Sequence, residues 1–288
     1  MTTRTLKRLH PAHRDDIGDL VTRRPLPGPG IDQLDPFLFL NHHGPQTYPP
    51  NNRGLPFGPH PHRGFETVTF ILEGELSHLD SGGHESIIGA GGVQWMTAGS
   101  GLVHAELSPA SFKRTGGPLE ILQLWVNLPS RLKMTPPNYL GLQGDQIPKV
   151  EVDGATIEVL SGAFAGVEGP FPSLIGIEMG VARLSSGGSL SVPVARGRSV
   201  FLYVVSGAIS VGGQAAPVWN LVELNDDGDA VAFDAPLGNL AGAVVVLGHA
   251  APIGEPIFAH GPFVMNTREE IVQAIDDYNA GKFGTVPG

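Results

Sequence analysis

The feature that most constrains the fold is an internal repeat of one strand–turn–strand unit. Residues 60–76 read HPHRGFETVTFILEGEL, and residues 193–209 read PVARGRSVFLYVVSGAI. The turn glycines Gly74 and Gly207 are related by the same offset as the Arg-Gly pairs that precede them. β-Branched and aromatic residues flank each turn glycine, as expected for antiparallel strands joined by a tight turn. Two copies of this unit predict two similar β-barrel domains.

The first copy carries two pairs of side chains suited to binding a metal ion. His60 and His62 form one pair, and His104 and Glu106 form the other. Residues two apart on a strand point to the same face, so the members of each pair project together. A single H-x-H pair is more often found in a loop or on the surface. Two such pairs on neighbouring strands, however, would place three imidazoles and one carboxylate around one point, which indicates a metal site.

Three stretches of the chain closely resemble the pirin family of the cupin superfamily. They read HPHRGFETVTFILEGE at 60–75, VQWMTAGSGLVHAE at 93–106 and GPFVMNTREEIVQAIDDYNAGKFG at 261–284. The resemblance covers most of the chain and is densest in 36–130 and 254–284. It implies an all-β fold of two tandem cupin-type β-barrels, a bicupin, with a short C-terminal helix.

The 288-residue length suits two ordinary domains. The Pro-containing segment 128–137, LPSRLKMTPP, is the predicted linker. It predicts an N-terminal metal-binding cupin domain over 1–135 and a C-terminal cupin domain over 136–288. At the offset of the repeat the four candidate ligands become Pro193, Ala195, Leu237 and Asn239, and a four-residue slip of the downstream pair gives Ala241 and Ala243. None of these side chains binds metal, so the second barrel is expected to keep the fold without the chemistry.

The only helix that the sequence predicts lies near the C-terminus. Thr267 followed by Glu270 is a capping-box pattern. An apolar stripe follows at Ile271, Ala274, Ile275 and Tyr278, and Gly281 ends the helix. Such a stripe predicts that the helix packs against a barrel.

Composition excludes several classes of function. The chain has no cysteine, so disulfides, thiolate metal sites and a cysteine nucleophile are ruled out. Its net charge of −10 makes direct nucleic-acid binding unexpected, because the phosphate backbone demands a cationic surface. Every apolar run is too short to span a membrane, and the N-terminus lacks the apolar core of a signal peptide. These features predict a cytoplasmic protein without a membrane partner.

The resemblance also implies a ligand set. Iron in the pirin family is bound at the H-x-H and H-x-E positions, which here are His60, His62, His104 and Glu106. One divalent metal ion per chain is therefore expected, with Fe(II) favoured and any catalysis acting through it. Nickel, copper, manganese and zinc stay open, because mixed nitrogen and oxygen ligands do not select one of these metals. Four-coordinate zinc would make the site structural.

Several other side chains near the motif are alternatives. Other cupins take a carboxylate a few residues after H-x-H, and Glu66 occupies that position. The pirin pattern favours Glu106, which leaves Glu66 a supporting or surface role. Adjacent His42 and His43 face opposite ways on a strand, so at most one of them can join the site, and a surface or supporting role is expected for the pair. His78, among other isolated histidines, is expected to be an ordinary surface or core residue.

Two classes of function follow from the resemblance. As an enzyme, the chain would be a quercetin 2,3-dioxygenase, with a flavonol and dioxygen as its substrates. As a binding module, it would be a regulator whose metal oxidation state controls docking to a transcription factor or a metabolic enzyme. Both require the same fold and the same ligands, so the sequence does not separate them.

Overall fold

A computed structural model of the chain describes residues 1–286. The first half of the chain forms the strands β1 (Leu6–Pro11), β2 (His13–Arg14), β3 (Thr22–Leu26), β4 (Phe37–Tyr48), β5 (Phe57–His62), β6 (Phe65–Glu73), β7 (Glu75–Asp80), β8 (Glu85–Gly89), β9 (Val93–Thr97), β10 (Leu102–Leu107), β11 (Gly117–Asn127) and β12 (Asn138–Leu142). The second half forms β13 (Lys149–Val152), β14 (Ala155–Ser161), β15 (Ala163–Phe164), β16 (Val167–Glu168), β17 (Glu178–Leu184), β18 (Ser189–Pro193), β19 (Ser199–Ser206), β20 (Ala208–Val211), β21 (Gln214–Pro217), β22 (Asn220–Leu224), β23 (Ala230–Asp234), β24 (Ala243–Ala250), β25 (Phe258–His260) and β26 (Phe263–Met265). The predicted all-β fold is confirmed.

Two α-helices and two short 3-10 turns accompany the strands. Helix α2 (Arg268–Asn279) is the predicted one, and its capping box is complete. The Glu270 amide donates to the Thr267 hydroxyl at 3.2 Å, and the Thr267 amide donates to the Glu270 carboxylate at 3.0 Å. The six-residue helix α1 (Ala110–Thr115) was not predicted from the sequence. The 3-10 turns are Ser130–Leu132 and Gly144–Gln146.

The strands group into two compact domains. The first domain comprises Arg14–Arg24, Phe37–Gln146 and the chain from Ile253, and the second comprises Met1–His13, Pro25–Pro36 and Ile147–Pro252. This grouping differs from the predicted division into 1–135 and 136–288, because the N-terminal segment belongs to the second domain and the C-terminal segment belongs to the first. Strand β1 pairs antiparallel with β22 in the second domain, and Arg63 bridges to Phe263 in the first.

Both domains have the same arrangement of sheets. The first has a seven-stranded sheet in the order β12-β9-β6-β11-β4-β3-β2 and a four-stranded sheet β5-β10-β7-β8. The second has the corresponding sheets β1-β22-β19-β24-β17-β14-β13 and β18-β23-β20-β21. In the second domain, buried aliphatic side chains from both sheets form one core cluster. The repeat detected in the sequence is therefore a repeat of domain topology, as predicted.

Strand register corrects one alignment made from the sequence. His60 lies opposite His104, and Pro193 lies opposite Ala230. The position equivalent to His104 is thus Ala230, and Leu237 follows the end of its strand. The constant offset fails here because the hairpins between Gly207 and Ala230 are shorter than those between Gly74 and His104. The second domain still offers no metal ligand at these positions.

The C-terminal segment of the first domain lies near the histidine pairs. Helix α2 buries Ile271 and Ala274 against Val103 of β10 and Phe263 of β26, as the apolar stripe predicted. Tyr278 is more exposed than the stripe suggested, at 38%. Within residues 1–286, the helices are too short and too polar to cross a membrane.

Candidate metal centre

Strands β5 and β10 are antiparallel neighbours, and this pairing brings three histidines together. His60 lies directly opposite His104, and His62 projects from the same strand face as His60. One nitrogen atom from each of His60, His62 and His104 lies within 4.8 Å of the other two. The predicted fourth residue, Glu106, lies outside this group of three. The convergence predicted from the two pairs is therefore present for the imidazoles.

Backbone carbonyls orient two of the three rings. The Nδ1 atom of His60 lies 2.7 Å from the Gly58 carbonyl oxygen, and that of His62 lies 3.2 Å from the Pro262 carbonyl oxygen. A carbonyl oxygen can only accept, so Nδ1 is the donor in each ring, and Nε2 is the nitrogen left to face a cation. The buried Nε2 of His62 and both ring nitrogens of His104 have no hydrogen-bond partner within residues 1–286.

Burial keeps the inner two imidazoles neutral. His62 and His104 are 3% and 0% exposed. Burial, reinforced by the neighbouring His60, lowers the pKa of His62 to about 3. The pKa of His104 is lowered well below its usual value, again by burial first and then by the other histidines. Neutral imidazole is the form that coordinates metal, so these two rings are in the binding state at neutral pH.

Glu106 is held by amide and hydroxyl donors from three different strands. Its Oε1 accepts hydrogen bonds from the Thr69 hydroxyl, at 3.1 Å, and from the Gln94 side-chain amide. Its Oε2 accepts from the side-chain amide of Gln123. The carboxylate is only 2% exposed. These donors satisfy part of its acceptor capacity and fix its orientation beside the histidines.

Aromatic side chains set the orientation of both glutamines. The Tyr139 hydroxyl donates to Gln94 Oε1 at 3.1 Å, and the Trp125 indole donates to Gln123 Oε1 at 3.2 Å. With each carbonyl oxygen engaged, each amide nitrogen points at Glu106. Burial raises the pKa of Tyr139 to about 12, so the phenol keeps its proton for this bond.

No sequence pattern predicted this supporting network. Gln94 and Gln123 interrupt strongly apolar strands, in the runs VQWM and LQLW. A glutamine with apolar neighbours on a central strand signals a buried polar group that needs a partner. The partner, Glu106, comes from a third strand, so no local pattern links the three residues.

Glu66, the alternative ligand, lies outside the group of three imidazoles, as Glu106 does. It is 1% exposed and accepts a hydrogen bond from the Thr97 hydroxyl at 2.7 Å. Burial raises its pKa to about 7, against the lowering effect of hydrogen bonds from Thr97 and Trp95. The supporting role expected for Glu66 stays a prediction.

Three other histidines have partners that the sequence analysis did not foresee. His42 and His43 are buried rather than on the surface, and they contact Glu120 and Thr22, each at 2.8 Å. His78 lies on β7 beside the site. It stacks on Tyr139 at 4.0 Å, and its Nε2 is 3.0 Å from the Asp80 carboxylate. Its interpretation as an isolated residue was wrong, because Asp80 faces it from the same strand.

The C-terminal segment holds the turn that follows His62. The Arg63 guanidinium donates to the Asp277 carboxylate of α2 at 2.8 Å and lies over the Phe283 ring. Gly64 has φ +89°, and a Cβ at this position would lie 2.0 Å from the Val264 carbonyl oxygen. Only glycine permits this crossing. Segment 262–264 thereby places the Pro262 carbonyl against His62.

The donor set fits a divalent metal ion. Three nitrogens that converge and a neighbouring carboxylate are ligand types shared by iron, nickel, copper, manganese and zinc. Bonds of about 2.1 Å require nitrogens about 3–4 Å apart, slightly closer than the 4.8 Å limit of this group. The unpartnered nitrogens of His62 and His104 are otherwise costly to bury, and a bound cation would satisfy them.

Family models match both halves of the chain. The Pirin model matches residues 19–126, and the Pirin C-terminal cupin domain model matches residues 180–284. The chain belongs to the pirin family of the cupin superfamily. Its similarity to other pirins extends over nearly the whole length. It is 41% identical to a pirin-like protein of Caulobacter vibrioides over 273 residues, which covers 93% of this chain and 94% of that protein. It is 37% identical to human pirin over 284 residues, which covers 97% and 93%.

A solved structure shares the complete pirin architecture. The crystal structure of a quercetin 2,3-dioxygenase from Acinetobacter baumannii superimposes with a TM-score of 0.90 at 33% sequence identity. The match covers 99% of each chain. Both cupin domains and the crossed termini therefore lie within the shared fold.

Proposed function

We propose that this pirin-family protein is a metal-dependent dioxygenase that opens the heterocycle of flavonols such as quercetin with dioxygen. The observation that carries the proposal is the cluster of three converging imidazoles, in which His62 Nε2 and both ring nitrogens of His104 have no hydrogen-bond partner in the described part of the chain. The similarity to a structure described as a quercetin 2,3-dioxygenase supports the choice of substrate.

One divalent metal ion per chain would be held by His60, His62 and His104. Glu106 is proposed as the fourth ligand, reached by a small movement of its carboxylate within the Gln94 and Gln123 donors. Fe(II) is the favoured ion, and nickel, copper, manganese and zinc suit the same donor atoms. The second domain has alanine and proline at the equivalent positions, which supports a single ion.

The bound metal would supply a Lewis acid that polarises and orients the substrate. The chain contributes orientation and exclusion of water. Gly58 and Pro262 carbonyls fix two rings, and the two glutamines fix Glu106. His60 is the least buried of the three histidines, so a planar flavonol would approach from its side. The sealed side, at His104, keeps bulk water from the reacting groups.

A non-catalytic regulator is the second candidate, with a transcription factor or metabolic enzyme as its partner. Its supporting observation is that two of the three imidazoles are at most 3% exposed. Such a closed site gives a large substrate little access to the metal. It is better suited to a metal whose oxidation state alters the surrounding structure. In this case the ferrous and ferric forms would differ in structure or partner affinity, with negligible turnover.

Oxygen uptake distinguishes the two candidates. The protein is loaded anaerobically with Fe(II), and oxygen consumption is measured with and without quercetin. The enzyme proposal expects quercetin-dependent uptake that is lost in His104→Ala and Glu106→Ala. Uptake no greater than that of free iron with quercetin would reject the enzyme and favour the regulator.

A further inference from the structure

Lys133 is a buried lysine that lies outside the proposed ligand set. It follows the 3-10 turn Ser130–Leu132 and is only 1% exposed. Its ammonium group donates three hydrogen bonds, to the Gly64 carbonyl oxygen at 2.8 Å, the Val264 carbonyl oxygen at 3.0 Å and the Asn127 side-chain oxygen at 2.7 Å. An ammonium group has three donors and no acceptor, so these bonds use its full hydrogen-bonding capacity.

The Lys133 side chain is charged at neutral pH despite its burial. Burial lowers its pKa to about 8, and the carboxylates of Glu255 and Glu270 partly oppose that effect. A lysine is seldom fully buried, because removing a charge from water is costly. All three of its hydrogen-bond acceptors are neutral oxygens. The cost is offset only if those oxygens need a donor at this point.

Two of the three acceptors belong to the crossing that places a carbonyl group against His62. Gly64 is two residues after His62 in the chain. Val264 is two residues after Pro262, whose carbonyl oxygen lies 3.2 Å from the Nδ1 atom of His62. The Val264 amide donates to the Arg63 carbonyl at 3.1 Å, so the two segments run side by side here. Without the ammonium, the two carbonyl oxygens that it bridges would lose a donor and repel each other, and the segments would separate.

The third acceptor connects the lysine to the strand that supports Glu106. Asn127 is the last residue of β11 and is fully buried. Gln123, which donates to the Glu106 carboxylate, lies on the same strand. The ammonium of Lys133 therefore joins the turn after His62, the C-terminal segment and the end of β11.

The second domain has the same turn without the crossing. Gly197 is the counterpart of Gly64 in the repeat, and the two have similar φ angles of +80° and +89°. A Cβ at Gly64 would lie 2.0 Å from the Val264 carbonyl oxygen, whereas a Cβ at Gly197 would meet no described atom within 4 Å. The turn itself therefore does not require a crossing segment. In the first domain the segment and its lysine lie beside the histidine cluster.

We infer that Lys133 is a positioning residue for His62. Its ammonium group holds the Pro262 carbonyl against the Nδ1 atom of His62 and so keeps Nε2 directed at the proposed metal ion. The inference rests on the metal site of the proposed function and is independent of the substrate. His60 should not depend on Lys133, because its Nδ1 bonds to the carbonyl of Gly58 within its own strand.

Lys133→Met tests the inference, because methionine has a similar length and no donor. NMR spectra of the full chain, metal-free and loaded with Zn(II), report the imidazole N–H groups, which are assigned with His60→Ala and His62→Ala. In Lys133→Met the hydrogen exchange of the His62 Nδ1–H should be at least about 10-fold faster, because its acceptor is no longer held. Exchange at His60 should stay within about twofold. Zinc affinity, measured by competition with a chelator, should fall about 10- to 100-fold.

Thr22→Val is the matched control for loss of a buried polar group. Thr22 is fully buried in the same domain, and its hydroxyl contacts the His43 ring at 2.8 Å rather than the crossing. This variant should leave zinc affinity and both imidazole N–H groups unchanged. Lys133→Gln keeps two donors on a shorter side chain, so it should give smaller effects of the same kind. It replaces Lys133→Met if that variant fails to fold.

Four results would overturn the inference. They are unchanged exchange at His62, equal acceleration at His60 and His62, an equal loss of zinc affinity in Thr22→Val, and failure of both lysine variants to fold. The last would show that Lys133 serves the fold as a whole. Absence of quercetin-dependent oxygen uptake would reject the enzyme without affecting these measurements. If the wild type bound no zinc, the metal site would be rejected, and exchange in the metal-free chain would still decide whether Lys133 positions His62.

Discussion

The two domains share one strand order and differ in what they bury. In the first, the face of the four-stranded sheet carries His60, His62 and His104, which have Pro193, Ala195 and Ala230 as counterparts. The second domain fills the corresponding interior with aliphatic side chains. Its fold shows that the topology does not require the polar interior. The topology itself therefore does not account for the imidazoles and their supporting amides in the first domain.

The largest effect that would sharpen this comparison is loss of the metal. His62→Ala removes one of three converging nitrogens, so metal content should fall from about one ion per chain to near zero. A control change of a buried histidine in the other domain, His249→Ala, should leave metal content unchanged. Elemental analysis of the purified proteins makes the measurement. Two ions in the wild type, or one ion that survives His62→Ala, would contradict the single-site interpretation.

The next largest effect is expected from acid, which should lower the stability of the two domains to different extents. A histidine whose folded pKa lies below its unfolded value contributes full stability above about pH 6.5 and loses it as the pH falls toward the folded pKa. In the metal-free first domain this applies to His62 and His43, both with a pKa of about 3, and to His104. In the second domain it applies to His249, with a pKa of about 4. Glu66 opposes the effect, because its raised pKa favours the folded state at low pH.

The first domain should consequently lose more stability than the second between about pH 6.5 and 4.5. Each proton that the unfolded state binds and the folded state does not lowers the free energy of unfolding by about 1.4 kcal/mol per pH unit. The three histidines of the first domain therefore outweigh its one glutamate. Urea unfolding of chelator-treated protein at several pH values measures this. Trp219→Phe leaves only Trp95 and Trp125 as fluorescent reporters, both in the first domain. Equal acid sensitivity of the two domains would contradict the expectation.

A matched pair of core positions gives the next effect. Leu202 is the counterpart of Thr69 in the repeat and is fully buried in the aliphatic core, whereas Thr69 donates to Glu106. Leu202→Ala should lower the free energy of unfolding of the second domain by about 2–5 kcal/mol without changing metal affinity. Thr69→Ala should lower the stability of the first domain by about 1 kcal/mol and weaken metal binding. Trp219 fluorescence reports the second domain in a Trp95→Phe, Trp125→Phe background.

The amide network should produce a smaller effect on the metal. Gln94→Leu removes a donor that holds Glu106, so metal affinity should fall about 10- to 100-fold. Tyr139→Phe removes only the hydroxyl that orients Gln94, and its effect should be smaller. Competition with a chelator of known affinity measures both. Unchanged affinity in Gln94→Leu would mean that Glu106 needs no support, or does not bind the metal.

Much of this architecture follows from local patterns. The turn glycines and the repeat that they mark predict two similar β domains, and the alternation in H-x-H and H-x-E predicts the convergence of histidines. Thr267 and Glu270 predict the start of α2. In each case the decisive residues lie within a few positions of one another, so propensity and periodicity suffice.

Apart from the short helix α1, the features that the sequence did not predict depend on distant contacts. Strand β1 pairs with β22, which lies far along the chain, and no local signal assigns β1 to the second domain. The register of Ala230 depends on the lengths of several hairpins. Glu106 meets Gln94 and Gln123 only because three strands lie side by side in space. Long-range pairing of this kind is decided by the whole fold rather than by the segment.

The smallest effect on the metal is expected at Glu66. Its counterpart in the second domain is Ser199, so neither the fold nor the strand requires a carboxylate there. Glu66 bonds to Thr97 and lies outside the group of converging nitrogens. Glu66→Gln keeps the hydrogen-bonding shape and removes the charge, and it should leave about one ion per chain with affinity unchanged within about twofold. Glu106→Gln, the matched change, should weaken binding by at least about 10-fold. The reverse order in a chelator competition would make Glu66 the carboxylate ligand and assign Glu106 to the supporting network.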